Sequence, residues 1–422
     1  MVQQEIMNTF TVFFLLALTA SFAIEFWLAR RHRDHVLAHQ GQVPEPFQDT
    51  ITLEAHQKAA DYTLAKLKII DVNRILSTAL LLLFTLGGGI DAIDQFWSRF
   101  DLGPIAHGVA LILSVFFLMA LFELPLQIYQ TFVIEERFGF NRTTPAQFIK
   151  DLALQTALSL AIGAPLLALV LWVMESTGNL WWLLAWAILM AFSLLMSWAY
   201  PTLIAPLFNK FDPLDDQNLK DRIQRLLERC GFHSKGIFVM DGSRRSGHGN
   251  AYFTGLGNNK RIVFFDTLVE ALEPEELEAV LAHELGHYKR KHVIKMLITS
   301  AVLSLIGFAL LGWLAQQPWF YEGLGVSRPS NATALLLFML AMPVFSTFLQ
   351  PLMAAIQRKY EFEADEFAAS MCDANALTRA LVKLYRDNAA TLTPDPLYSA
   401  FHYSHPPAAI RIEHLKQVQQ SA

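Results

Sequence analysis

Seven stretches of this chain are each long and apolar enough to cross a bilayer, and they constrain the fold more than any other feature. They lie at 7–29, 75–97, 104–133, 151–174, 180–207, 296–316 and 333–356. A spanning helix needs about 20 mainly apolar residues. The second run is the weakest, because Gly87-Gly88-Gly89 and Asp91 interrupt it, and losing it would invert everything downstream. Basic residues supply the check, since Lys and Arg concentrate in the cytosolic loops of membrane proteins. With the N-terminus outside, the cytosolic segments hold 7 basic residues in 30–74, 3 in 134–150, 14 in 209–295 and 7 after 357. That is 31 of 33, with only Arg99 and Arg328 on the other face. Six spans would scatter them over both faces. The expectation is an all-α membrane protein with seven transmembrane helices, N-terminus out and C-terminus cytosolic.

Composition agrees: 53% of residues are hydrophobic and 17% charged, against about a quarter charged in an ordinary soluble domain. The first run is not a cleaved signal peptide, because its basic cluster, Arg30-Arg31-His32-Arg33, follows the apolar stretch and no A-x-A-like site ends it. Cys230 and Cys372 both fall on the cytosolic side and form no C-x-x-C pair, so no disulfide framework is expected. No basic-aromatic stretch points to nucleic acid, and no repeat is visible.

The chain therefore divides into 1–208, five transmembrane helices with cytosolic loops 30–74 and 134–150; a cytosolic insert, 209–295; helices six and seven in 296–356; and a cytosolic tail, 357–422. The insert reads as α+β. A polar helix, "LDDQNLKDRIQRLLERCGF", stops at Gly231. Strands follow at 236–241, 250–256 and 261–268, the last two flanking a Gly257-Asn258-Asn259 turn as a hairpin.

Chemistry concentrates in "AHELGHYKRKH" (282–292). Residues 274–295 read as one helix, with Pro274 in the first turn, Glu275, Glu276 and Glu278 near the positive end, and Lys289-Arg290-Lys291 near the other. His283 and His287, four apart, share a face. Two imidazoles so placed can bind one zinc, with Glu284 beside them as general base. A catalytic zinc needs a third protein ligand and an open position. In "RKYEFEADEFAAS", Glu361 and Asp365 are four apart: Glu361 can complete the site, and Asp365 can accept from a histidine ring. An acidic, solvated helix face is the alternative. Position favours ligation, because His283 and His287 enter span six where Glu361 leaves span seven. His233, His292 and His414 read as solvated. Glu25 and Glu123, inside apolar spans, call for water or a partner.

These residues closely resemble the integral-membrane type I CAAX prenyl protease family of zinc metalloproteases. "AHELGHYKRKH" and "YEFEADEFA" carry the resemblance, and 132–151, 200–214, 245–268 and "FHYSHPPAAIRIEHL" (401–415) extend it from about span three to the end. One departure is Gly249, where eukaryotic members are expected to have a serine. The resemblance implies a water-filled chamber enclosed by the helices, with one Zn2+ at its cytosolic end. It implies His283, His287 and Glu361 as ligands, Glu284 as base, and His405 and Arg411 as donors to the oxyanion; an ordinary turn and an Arg411–Glu413 pair are the alternatives. His248, Asn250, Ala251 and Tyr252 would bind an extended peptide, or form a hairpin edge that binds nothing.

The function this implies is removal of the C-terminal tripeptide from a peptide or protein substrate isoprenylated at a C-terminal cysteine, with the lipid bilayer as the other partner. A quality-control metalloprotease acting on non-prenylated membrane proteins shares the same site. A seven-helix metal transporter would place its ligands mid-span, whereas these lie beside charged residues at helix ends. The bacterial cytoplasmic membrane is the expected location, with the ER membrane as the alternative.

Overall fold

The apolar runs fold into helices. The protein is described by a computed structural model covering residues 8–232, 234, 236–254 and 261–421. Six helical segments are long and apolar enough to span a membrane: Thr9–His39, Gly103–Phe138, Pro145–Ser176, Gly178–Phe208, His292–Leu314 and Asn331–Met371. A seventh span is formed if the bent pair Leu53–Phe84 and Gly89–Trp97, which meet at 55°, is counted as one. The bend falls at the triple glycine. A Cβ on Gly87 would lie 2.7 Å from the Leu83 carbonyl oxygen, and Gly88 has a φ of +75°, so only residues without side chains close this turn at no cost. Lipid must cover what the protein does not: along the most apolar stretch of His292–Leu314 no residue is fully buried, and Val293, Ile298, Ile306 and Trp313 face outward.

Glu25 and Glu123, the two carboxylates singled out inside apolar spans, differ. Glu25 pairs with Arg74 at 3.1 Å and lies 3.5 Å from His402. Among the described residues, Glu123 has only the Ser77 hydroxyl, at 3.4 Å.

Outside the spans, one sheet holds β1 (Phe211–Pro213), β2 (Ile237–Met240), β3 (Ala251–Thr254) and β4 (Arg261–Phe265) in the order β1-β2-β4-β3. The β2–β4 pair is parallel and the other two are antiparallel. The expected hairpin is β3–β4, its turn lying outside the described residues. The strand expected to run to 268 ends at Phe265, because Asp266 begins a helix, its carboxylate accepting from the backbone of Ser243 and Thr267. β3 is at the edge, with one side unpaired.

Insert and tail share one core. Leu219, Ile223, Leu226 and Leu227 line one face of the helix Gln217–Arg229. They meet Leu277, Leu281 and Leu285 of the helix Pro274–Lys289, and Leu377 and Leu381 of the tail helix Ala374–Asp387. Apolar residues at this helical spacing turn that face of Pro274–Lys289 inward and leave His283 and His287 to the other. The acids near its start do more than favour the helix dipole: Glu276 is capped back onto Glu273 and pairs with Lys383 at 2.7 Å, and Glu278 bridges Arg222 and Arg229, each at 2.8 Å.

The helix expected over 274–295 is two. Pro274–Lys289 ends at Arg290, Lys291 sits in the left-handed region at φ 58°, and a new helix begins at His292. A lysine in that conformation is uncommon, and the break re-aims His292.

Candidate metal centre and active site

Two helices carry the centre, Pro274–Lys289 and the helix Gln350–Met371 that leaves the last span. They pack closely because Gly286 stands where they cross: a Cβ there would lie 2.9 Å from Ala364 Cα and 3.0 Å from its carbonyl oxygen. Gly286→Ala is therefore expected to force the backbones apart and destabilise the fold by about 1–3 kcal/mol. A thermal melt would check it, and an unchanged midpoint would contradict the close packing.

The crossing brings His283, His287 and Glu361 together. The two imidazole Nε2 atoms are 3.2 Å apart. Glu361 Oε2 is 3.4 Å from His283 Nε2, and Oε1 is 3.2 Å from His287 Nε2. Among the described residues this trio is the one cluster of at least three His, Cys, Asp or Glu ligand atoms within metal-binding reach of one another. A tetrahedral zinc with bonds of about 2.0–2.1 Å separates its ligand atoms by about 3.3 Å; the Nε2–Nε2 distance matches that spacing, and each of the two nitrogens faces its own oxygen of Glu361 at a similar distance. Glu361 Oε2 is buried without a hydrogen-bond partner, another mark of a site built for a cation.

Charge argues the same way. Burial and the Arg411 guanidinium lower the pKa of His283, but the carboxylates of Asp365 and Glu361 beside it outweigh them and push it up to about 9. The carboxylates thus demand a positive charge between them, and a divalent ion meets that demand with the ring neutral.

Behind the trio, Asp365 takes His283 Nδ1 at 2.8 Å, an arrangement that would orient the imidazole for ligation. Arg411 holds Asp365 in turn, donating from Nε at 2.8 Å and from a terminal nitrogen at 2.6 Å. Burial opposes the charged form of Arg411, yet Asp365 beside it pushes its pKa up. The alternative pairing with Glu413 is not formed among the described residues; Arg411 faces Asp365 instead. Arg411 also lies 3.5 Å from Glu361, so its donors are directed at the ligand framework. His405 is different: its side chain is 63% exposed, with Nε2 3.4 Å from Glu361 Oε1. Glu284 is half-buried, and among the described residues it forms no ion pair.

The peptide-binding candidates lie on and before the edge strand. Asn250 gives its carbonyl to Phe265 N–H, its side chain accepts from Ala251 N–H, and Tyr252 is half-buried with its ring edge-on to Phe265. His248 stacks on Phe140 at 4.2 Å, approaches the Asn388 side chain at 3.2 Å, and lies 3.5 Å from Glu135, which accepts from Tyr62. Its ring is thus held in a polar cluster that sequence could not foresee, its members coming from segments as far apart as those of Tyr62 and Asn388. A Cβ on Gly249 would sit 3.4 Å from Leu268, an ordinary contact, so packing does not require the glycine.

Two histidines read as solvated behave otherwise. His292 is buried and wedged behind His287, and His414 lies edge-on to Phe362, 3.4 Å from Glu366. On an unbroken helix His292 would point away from His287, which is why spacing gave no sign of it. His233 lies outside the described residues.

Comparison with known proteins bears on the whole chain. The family model described as CAAX prenyl protease N-terminal, five membrane helices, matches residues 32–210, and that of peptidase family M48 matches 213–419. CAAX prenyl protease 1 homologues are similar along nearly their full length. The protein from Dictyostelium discoideum is 37% identical, covering 93% of each chain, and that from Homo sapiens is 32% identical, covering 94% of this chain and 93% of its own. CAAX prenyl protease 1 of Saccharomyces cerevisiae is 34% identical over 95% of this chain and 94% of its own. The crystal structure of S. mikatae Ste24p superposes with a TM-score of 0.90 at 33% identity, covering 96% of this chain and 99% of that one.

Proposed function

The chain belongs to the CAAX prenyl protease 1 family of M48 peptidases, and from that membership we propose that it is a zinc endopeptidase acting on proteins isoprenylated at a C-terminal cysteine. That it is a multi-pass membrane peptidase follows from the family and the apolar helices. The observation that carries the finer reading is the convergence of His283 and His287 Nε2, 3.2 Å apart, on the two carboxylate oxygens of Glu361 at 3.4 and 3.2 Å.

In this reading His283, His287 and Glu361 hold the zinc. When bound, zinc lowers the pKa of water and polarises a carbonyl. Glu284 accepts the proton of the attacking water and returns it to the leaving amine. His405, the exposed donor beside Glu361, hydrogen-bonds the developing oxyanion. Arg411 acts from behind, holding Asp365, which holds His283. The substrate adds as a strand to the open edge of β3, along the backbone of Asn250, Ala251 and Tyr252, with His248 at its start. The basic-residue count supports seven spans with this centre cytosolic. A water-filled chamber among the spans would hydrate Glu123, which among the described residues has only the distant Ser77 hydroxyl.

The test is cleavage of a farnesylated CAAX-type peptide by purified protein in detergent. Product is expected to appear, to vanish with a chelator, and to return on adding zinc. Equal cleavage of the unprenylated peptide would move the function to quality-control proteolysis at the same site. Protein that binds no zinc and cleaves neither would overturn the reading.

A further inference from the structure

His292 makes a contact that neither ligand set nor base requires. Its Nδ1 lies 3.1 Å from Nδ1 of His287, and its Nε2 lies 2.9 Å from Glu363 Oε2. The ring stacks on Tyr360 at 4.2 Å and 11°, and it is 1% exposed. We infer that His292 is the positioning residue for His287, fixing its ring and tautomer through a hydrogen-bonded chain that ends at Glu363.

This rests on the metal reading above, and the protons have only one consistent arrangement under it. If Nε2 of His287 ligates, that atom carries no proton, so Nδ1 does and must donate. The atom it faces, His292 Nδ1, must then accept, which puts the His292 proton on Nε2. That proton points at a carboxylate oxygen, which in the ionised form accepts and cannot donate. Lys295 and Lys359, with Nζ 4.0 and 3.9 Å from Glu363, favour the ionised form. Asp365 serves His283 directly, whereas His287 is served through an intervening ring. Each ligating imidazole thus ends on a carboxylate from the same helix, at 363 and 365. The break at Lys291 makes this possible, because it turns His292 back toward the centre.

Zinc affinity of the full-length protein tests it, measured in detergent by competition with a chromogenic chelator after stripping the metal. His292→Ala is expected to weaken zinc binding by about 10–100-fold, the usual cost of losing a ligand's hydrogen-bond partner. His292→Gln can accept from His287 and donate to Glu363 through its amide, so it should recover part of that loss. Glu363→Gln, a partly exposed change, should weaken zinc in the same direction by less, with the metal-free melting midpoint unchanged. Should His292→Ala not fold, the other two variants decide. Zinc affinity within about threefold of the parent in every variant that folds, or a lowered metal-free midpoint with affinity unchanged, would overturn the inference by making His292 a packing residue only. A parent chain that itself bound no zinc would instead overturn the metal reading, and this inference with it.

Discussion

Glu284→Gln is expected to lower peptide hydrolysis by about 10²–10⁴-fold, the range for losing a general base, while zinc content stays at that of the parent. The reason lies in how the other carboxylates of the centre are used. Glu361 faces two ligand rings, His405 and Arg411; Asp365 holds His283 and Arg411; Glu363 holds His292. Glu284 alone among them forms no ion pair in the described residues, and one residue from His283 and three from His287 it shares their side of the helix. It is therefore free to take and return a proton. Glutamine keeps its shape and helix preference, so the ligands should stay in place. Hydrolysis rates beside metal content by elemental analysis would decide: activity within about tenfold of the parent would remove Glu284 from the mechanism, and loss of zinc would mean that it supports the ligands instead.

Much of this was legible in the sequence, for reasons specific to each residue. The spans announce themselves by composition, and the weakness of the second, read from Gly87-Gly88-Gly89 and Asp91, reappears as a 55° bend at the glycines. His283 with His287 and Glu361 with Asp365 fall four apart on helices, so helical geometry alone turns each pair to one side. What resisted reading depends on backbone conformation or on distant segments. Nothing in Lys289-Arg290-Lys291 signals a left-handed residue, so the helix was expected to continue and His292 to face water. β1, three residues ending in Pro213, is too short to show alternation. The place of Arg411 could come only from resemblance, since its partner Asp365 is 46 residues away.

The same geometry that hid Arg411 gives it the largest expected effect on stability. Asp365→Ala would strip its carboxylate from a guanidinium that is only 6% exposed. An uncompensated buried charge costs about 3–5 kcal/mol, and the remaining acceptor nearby, Glu361 Oε2, is 3.5 Å away and belongs to the ligand set. His283 would also lose the partner of its Nδ1, so zinc affinity should fall by about 10–100-fold. The two losses have different causes and should separate. In the double variant Asp365→Leu with Arg411→Met, both charges are gone and apolar groups of similar size fill their place, which is often neutral for stability. The melting midpoint should therefore recover most of its fall. Zinc affinity should not, because neither leucine nor methionine can accept from the His283 ring. If stability and affinity recovered together, Asp365 would matter only as the counter-ion of Arg411. If neither recovered, the pair would be packing the last helix, Ala408–Ser421, which carries Arg411, against Gln350–Met371, and orientation of His283 would have to come from elsewhere.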